Sequence, residues 1–426
     1  MWVRKRIDIG WSDIAFGIAK SLWSDRRADI QQRIEQQWSH DNEALACLSV
    51  RTGFDLLLKV LQLPPNSEVL MSAVTIGGMV RIVEKHGLTP IPIDLDMERL
   101  APKIDAFRDA ITPATKAIVV AHLFGSRVPM QPIIEIARQH NLLVIEDCAQ
   151  AFTGDGYEGH PESDVAMFSF GAIKTSTALG GAVLSVRDSN ILAKMRQVYE
   201  DYPVLSRFAY FRRLLKYAVI KEISTRWFLG AVAQVSRWLG RDHDGLANRV
   251  ARGFAGPRFF EKIRQQPSAP MLAVLERRIR LFDQHRLDLR AARGRLLVEF
   301  LNGSVVRPGA DAEEHTHWVF PILADEPRRL MEKLWLAGFD ATQGQSHCVI
   351  EPPDGREELA ASEAQKWIAK TVFLPFTTDM PVESLQRMAE VVREECPRPV
   401  VPLVDSDSQT VDSHPGKNQP STVAQQ

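Results

Sequence analysis

Lys174 closes the stretch Phe168-Ser169-Phe170-Gly171-Ala172-Ile173-Lys174, and upstream an apolar run, Leu142-Leu143-Val144-Ile145, leads into Glu146-Asp147-Cys148-Ala149-Gln150. The run has the length and β-branched content of a buried parallel strand. Asp147 then falls at the strand's carboxyl end, where open α/β sheets bind ligands. A fixed, partly desolvated carboxylate there can keep a proton on the nitrogen of an aromatic cofactor ring. A primary amine whose proton is removed by burial or nearby positive charge can condense with an aldehyde. Pyridoxal phosphate (PLP) needs both groups: its ring is an electron sink only while the pyridine nitrogen is protonated, and its aldehyde takes a lysine as a Schiff base. The same lysine, once displaced by substrate, can move a proton as a general base. Taken singly, Lys174 reads as a solvated surface cation and Asp147 as a helix N-cap. Their combination with Gln150, Ser169 and a Gly180-Gly181 turn points to a cofactor site.

The elements that must position these groups are legible as a pattern. Residues 11 to 38 read as helical, with Trp11, Ile14, Ile18 and Leu22 at helical spacing. From residue 44, short apolar runs (45–48, 69–71, 118–120) alternate with amphipathic segments (54–63, 76–86, 130–140), the mark of a mostly parallel sheet with crossover helices. Strand-like runs at 164–168 and 181–186 close this unit, and a long helix is expected after Pro270. Further strand-like pieces sit at 318–320 and 371–374, with helices over 326–337 and 382–395. Gly154-Asp155-Gly156-Tyr157-Glu158-Gly159 fits a dinucleotide-binding spacing but precedes His160-Pro161 instead of opening a helix, so it reads as a turn.

The stretches Val144–Gln150, Phe168–Lys174 and Thr177-Ala178-Leu179-Gly180-Gly181-Ala182 resemble the nucleotide-sugar aminotransferases of the DegT/StrS group. Arg51-Thr52-Gly53, Glu68–Met71 with Thr75, Pro92–Asp96 and Ala121-His122-Leu123-Phe124-Gly125 follow in that family's order, so the likeness is strong over residues 40 to 200 and weak over 270 to 395. The resemblance implies an α/β fold, the fold-type-I PLP transferase, with a mostly parallel central sheet and a smaller α+β C-terminal domain. It implies Lys174 as the Schiff-base lysine, Asp147 on the pyridine nitrogen, Gln150 near the ring hydroxyl, and Ser169 with the Thr52-Gly53 turn on the phosphate. The phosphate assignment has a physical side, because Thr52 and Gly53 precede an apolar helical pattern and a helix N-terminus attracts anions.

The implied activity is transfer of an amino group from an amino acid, typically glutamate, to a keto-sugar nucleotide in polysaccharide biosynthesis, by a cytoplasmic homodimer. A PLP-dependent sugar dehydratase or other non-transaminating member, and a non-catalytic regulatory or scaffold homologue, stay open as alternatives. The sequence also departs from the family pattern. Ile76-Gly77-Gly78 stands where an aromatic ring usually meets the cofactor, so aliphatic contact is expected there. Arg264-Gln265-Gln266 stands where an asparagine from the neighbouring subunit usually reaches the phosphate, and Arg264 or Gln266 is a candidate replacement.

Length and composition set outer bounds. The chain has 426 residues, 45% hydrophobic content and a net charge of -1, enough for two or three domains and without a global electrostatic case for nucleic acid. Cys47, Cys148, Cys348 and Cys396 show no paired spacing, and no metal spacing links His315, His317 and His347, which are candidates for the site's mouth. No signal-peptide core or membrane-span length is found. The expected organisation is an N-terminal helical segment (1–40), a PLP-binding large domain (41–200), a basic and aromatic helical insertion (201–265), a C-terminal small domain (266–398) and a disordered tail (399–426). Within the insertion, Phe208, Phe211, Leu214, Leu215 and Tyr217 mix with Arg212, Arg213, Lys216 and Lys221, followed by Trp227, Phe228 and Trp238. Such a helix either packs its apolar stripe against the large domain or a second subunit, or contacts an anionic membrane surface or substrate.

Overall fold

The computed structural model describes the chain except residues 4–6, 24, 40, 42, 224–257, 345–346 and 397–426. The expected tail and the aromatic residues Trp227, Phe228 and Trp238 lie outside the described residues. Seven strands form the central sheet: β1 (Ala44–Cys47), β2 (Glu68–Ser72), β3 (Thr89–Ile93), β4 (Thr115–Ala121), β5 (Leu143–Asp147), β6 (Val165–Ser169) and β7 (Ala182–Val186). Their spatial order is β1-β7-β6-β5-β4-β2-β3. β6, β5, β4, β2 and β3 run parallel, and β7 is antiparallel to both β6 and β1. This is the mostly parallel α/β sheet that the alternating pattern requires. Pro90 and Pro92, two residues apart in β3, are accommodated because β3 is an edge strand with no ladder on its outer side.

Side chains along the strands alternate between two cores, as a period of two demands. Leu45, Val69, Val119, Ile145 and Leu184 enter one core, under the helices α3 (Val50–Leu61), α4 (Gly77–Lys85) and α7 (Ser189–Glu200). On the opposite face, Leu70, Ile118 and Val144 pack with α5 (Ile104–Ala110) and α6 (Gln131–Gln139). At the β1 end that face is covered by α1 (Trp11–Leu22), α2 (Arg27–Trp38), α8 (Arg207–Ile223) and α10 (Ala269–Arg280).

A short helix, α9 (Phe259–Ile263), precedes α10, and α11 (His285–Leu301) follows it. The single long helix expected after Pro270 is thus two. The chain breaks at Leu281–Gln284, where Phe282 turns inward against Phe152 at 5.0 Å between ring centroids and lies where a Cβ on Gly154 would sit. Gly154, Gly156 and Gly159 all have positive φ, so the spurious dinucleotide spacing is a turn.

α11 carries the chain into a smaller unit with its own core, built with α12 (Pro327–Leu336), α14 (Val382–Glu395) and the antiparallel pair β8 (Phe320–Leu323) and β9 (Thr371–Leu374). α13 (Ser362–Lys370) lies between this unit and the sheet. The strand expected at 318–320 begins two residues later, at Phe320, because Thr316 and Val319 donate their N–H groups to the carbonyls of Gly125 and Phe124 in the large domain.

Two buried polar groups fix the elements nearest Asp147. Glu146 accepts hydrogen bonds from His122 Nε2 at 2.9 Å, the Tyr157 hydroxyl at 2.6 Å and the His160 N–H at 2.7 Å. Val128 N–H donates to His122 Nδ1, so the other ring nitrogen carries the hydrogen given to Glu146. Burial pushes the Glu146 carboxyl up, but the bonds from His122 and Tyr157 outweigh it and hold it down at about 2. The second group is Asp55, fully buried on α3, which receives both Nε and Nη2 of Arg264 at 2.9 Å together with His86.

That pairing bears on the expectation for Arg264 and Gln266. Arg264 serves as the internal counterion of Asp55, and Gln266 donates to the carbonyls of Glu200 and Tyr202, so both are engaged within the chain.

Two predictions follow from these groups. Arg264→Met, which leaves the Asp55 carboxylate buried without its main partner, should destabilise the fold by about 3 kcal/mol in denaturant titrations while leaving PLP affinity of the folded protein unchanged. Glu146 is depressed in the folded state from 4.5 to about 2, so its contribution is complete above pH 4.5 and lost as pH falls toward 2. The stability gap between the wild type and Glu146→Gln should therefore narrow by roughly 3 kcal/mol across that window.

Candidate active site

Asp147 ends β5 and stands in register beside Met167 of the parallel strand β6, whose own end, Ser169, is two residues further on. The Ala149 N–H donates to Asp147 Oδ1 at 3.0 Å, fixing the carboxylate at the strand terminus. Burial pushes the Asp147 carboxyl above its ordinary range, and the Ala149 bond and the positive charges of Lys174 and Arg51 only partly offset this. A desolvated carboxylate of this kind is a strong acceptor for a cationic N–H.

Lys174 lies in the loop between β6 and β7, and this loop is held from behind. Lys174 N–H donates to the Gly171 carbonyl at 3.0 Å, Ser176 N–H to Asp8 Oδ2 at 2.7 Å and Ser176 Oγ to the Arg278 carbonyl at 2.8 Å. From α8, the Tyr210 hydroxyl donates to the Ala178 carbonyl at 2.9 Å and Arg213 Nη1 to that of Leu179 at 3.2 Å. Gly180, at φ 157°, lies so close to Met271 and Arg213 that a Cβ there would come within 2.9 Å of both. The first helix of the insertion thus buries Tyr210, Leu214 and Tyr217 against α1 and α10 and braces the lysine loop.

Across the cleft, the Lys174 ammonium sits 4.5 Å from the centroid of the Trp318 ring. Trp318 is brought there by the crossing segment that follows His315 and His317. Gly125, at φ 98°, permits the crossing, since a Cβ would lie 2.6 Å from Thr316 Oγ1 and 2.7 Å from the Trp318 nitrogen. His315 and His317 stack at 4.3 Å. Burial and, beyond it, neighbouring cationic groups push them down to about 3 and about 4, so both rings are neutral near pH 7. Gln150 Oε1 accepts the Phe124 N–H at 2.9 Å, which orients the amide with Nε2 as its remaining donor end. Ser169 Oγ accepts from Gly171 N–H at 3.4 Å, and a Cβ on Gly171 would lie within 4 Å of both Ser169 Oγ and Lys174 Cγ.

Thr52 and Gly53 are placed otherwise than expected. α3 begins at Val50, capped by Ser49, so both residues lie within its first turn. Thr52 is fully buried, with its N–H on Ser49 Oγ and its hydroxyl on the Ile263 carbonyl at 2.7 Å. Gly53 N–H bonds the Ser49 carbonyl, and its missing Cβ makes room for Leu184, which would otherwise come within 2.5 Å. Both are explained by helix-to-sheet packing. The residue of this turn that faces Asp147 electrostatically is Arg51, and its Nε would be 2.8 Å from a Cβ on Gly78, so Gly77-Gly78 at the start of α4 opens space for a guanidinium. Ile76 itself packs against the first core.

The structure therefore brings Asp147, Ser169, Lys174 and Gln150 to one end of the sheet and turns Thr52 and Gly53 away. Arg51 and Trp318 were not singled out by sequence reasoning. The strand-like reading of 318–320 hid Trp318, while the Gly77-Gly78 pair was the available sign of a bulky neighbour at Arg51. Cys148, beside Asp147, is buried and its thiol is pushed up by burial, consistent with a core role.

Residues 23–210 match the family model described as the DegT/DnrJ/EryC1/StrS aminotransferase family. Over 159 residues the chain is 38% identical to GDP-perosamine synthase of Caulobacter vibrioides, a stretch that covers 36% of this chain and 42% of that protein. The chain spans less than half the length of the curated relatives it matches. Among solved structures, the aminotransferase TlmJ from Streptoalloteichus hindustanus superposes with a TM-score of 0.65 at 16% identity, covering 93% of this chain and 98% of that one. NtdA from Bacillus subtilis, solved with bound cofactor PMP, gives 0.63 at 18% identity over 93% of this chain and 86% of its own. These structural likenesses establish the fold. The likeness to the DegT/DnrJ/EryC1/StrS aminotransferase family lies within residues 23–210, less than half of the chain.

Proposed function

We propose that this protein is a PLP-dependent aminotransferase that moves an amino group from an amino acid, glutamate in the simplest case, to a keto-sugar carried on a nucleotide. The observation that carries the reading is the desolvated carboxylate of Asp147 at a strand end, with the amine of Lys174 in the adjoining loop. The donor set fits the cofactor: a carboxylate for a protonated ring nitrogen, the Gln150 amide for a ring hydroxyl, and the Ser169 hydroxyl with the Arg51 guanidinium for a phosphate. The match to an aminotransferase family and the GDP-perosamine synthase relative support the reaction and the substrate class. A homodimer in the cytoplasm belongs to the same proposal, and all four cysteines being free is consistent with a reducing compartment. So does a division into an N-terminal helical segment, a cofactor-binding large domain, a helical insertion and a small domain; the core around Phe320 and Leu385 supports the small domain, while the N-terminal helices and the insertion helix share a core with the large domain.

When bound, PLP supplies an aldehyde that takes up amines and a ring that withdraws electrons. The chain's residues do the rest. Asp147 holds the proton on the ring nitrogen, since its desolvated carboxylate gains most from a cationic donor. Lys174 Nζ is the amine nearest the cleft and the base that takes and returns a proton there. Its loop, braced by Tyr210, Arg213 and Asp8, restricts the arc through which that nitrogen swings. Trp318 stabilises the charged amine before cofactor binds and walls the cleft against water on the small-domain side.

Borohydride reduction of the PLP-treated protein should fix the label on Lys174 in peptide mapping, and glutamate with a keto-sugar nucleotide should yield 2-oxoglutarate. A label elsewhere, or none, would overturn the proposal. Asp147→Asn should retain reducible PLP on Lys174 yet lose about a hundredfold or more in turnover. Trp318→Ala removes a cation–π contact worth roughly 1 kcal/mol, so Lys174 should capture PLP about fivefold more readily at neutral pH, followed by absorbance of the bound cofactor.

A further inference from the structure

One surface of the molecule is unexplained by the active site. Six of the eleven large hydrophobic side chains exposed among the described residues lie on two neighbouring helices: Trp11, Leu22 and Trp23 at the ends of α1, and Phe208, Leu215 and Val219 on α8. Trp23 is 77% exposed and Phe208 66%, so these are not partly sheltered core residues. α1 and α8 pack directly on each other, with Leu214 against Gly17. The two helices also meet where Lys221 lies 6.0 Å from the Trp11 ring centroid.

The charge on this face is mostly basic. Positions 208, 212, 215 and 219 follow one another at helical spacing, which puts Arg212 in the row with the exposed apolar side chains, and Lys216 adjoins it. Arg212 lies over the Phe208 ring at 6.0 Å. Arg207 and Lys221 add positive charge at the two ends of the helix, on its other side. Against them α8 carries a single acid, Glu222, at its end, while Asp25 beside Trp23 is paired with Lys20 at 3.1 Å and faces Arg33 at 3.9 Å. The chain as a whole has a net charge of -1, so the positive face is a local feature. Aromatic and aliphatic side chains interleaved with arginine and lysine on an exposed helix match the boundary of an anionic bilayer, where rings enter the headgroup layer and cations meet phosphate. Among the described residues no helix is long and apolar enough to cross a membrane, so the contact is with a surface.

We propose that the outer face of α1 and α8 docks this protein on an anionic lipid surface. The inner face of the same helix, through Tyr210 and Arg213, holds the loop of Lys174. Docking therefore leaves the cleft between Asp147 and Trp318 outside the contact.

The test uses the full chain with phosphatidylcholine vesicles, with and without phosphatidylglycerol. The protein should sediment with the anionic vesicles only, and less at high salt. Arg212→Gln with Lys216→Gln should lower the partition roughly thirtyfold, from about 1 kcal/mol per cation near the surface, and Phe208→Ser should lower it with the charges intact. Absence of wild-type partition, or partition indifferent to these substitutions, would overturn the proposal. Maleimide labelling at Leu215→Cys, read by peptide mass, supplies an arm independent of folding losses. Labelling should be free in buffer and suppressed by anionic vesicles. Labelling already blocked in buffer would mean that a second copy or this chain's own residues 224–257 cover the face, which also overturns it.

Discussion

A partly desolvated carboxylate at the end of a buried parallel strand is the constraint around which the rest of this molecule is arranged. Asp147 is half-buried, and the structure surrounds its desolvated carboxylate with partial compensations: the Ala149 amide, the charge of Lys174 and the charge of Arg51. These leave its carboxyl pushed upward. A neighbouring acid in the same strand, Glu146, is treated in the opposite way, with full hydrogen-bond satisfaction by His122, Tyr157 and the His160 amide. Two consecutive acids thus have opposite fates. The strand alternates its faces, so Glu146 points into a closed polar network while Asp147 meets the cleft. The satisfied acid anchors the strand, and the unsatisfied one retains interaction energy for a cationic ligand group.

The second half of the site comes from the small unit's crossing segment. Gly125 has no Cβ to keep Thr316 and Trp318 at a distance, and the hydrogen bond from Thr316 to the Gly125 carbonyl fixes the approach. The N-terminal segment reinforces the same junction from another side. Asp8 bonds Ser176 in the lysine loop and Arg286 of α11, and Asp13 pairs with Arg277 and Arg278 of α10. Trp2 bonds both Gly338 and Asp340 in the small unit. Movement of the small unit would therefore be felt at Lys174 through packed and ion-paired contacts.

Much of this was legible in the sequence, for reasons that differ by residue. Strands β2, β4 and β5 are continuous apolar runs because both faces of a parallel sheet are covered, and Asp147 is visible because it ends one of them. Lys174, Ser169 and Gln150 stand at fixed offsets from those ends. Thr52 and Gly53 were placed ahead of the helix because its start was read from its apolar stripe, whereas the cap, Ser49, lies a turn earlier and takes the Thr52 amide. The break after α10 was invisible because Phe282 fits a helical stripe equally well, and only the aromatic pocket of Phe152 decides its direction. Arg264 looked like a spare phosphate ligand because its partner, Asp55, is 209 residues away in sequence.

α8 shows how one helix can serve two surfaces without conflict. Tyr210, Leu214 and Tyr217 recur at spacings of four and three and face inward, while Phe208, Leu215 and Val219 recur on the opposite side with arginine and lysine among them. A helix with apolar groups on both sides is normally buried between two partners. Here the inner partner is the lysine loop and the packed pair α1 and α10, which accounts for only one stripe. The outer stripe would be an aggregation liability in a chain of near-zero net charge unless something apolar and anionic met it. The basic residues in that stripe repel a second copy of the same face, so the charge that suits an anionic surface also opposes self-association through it.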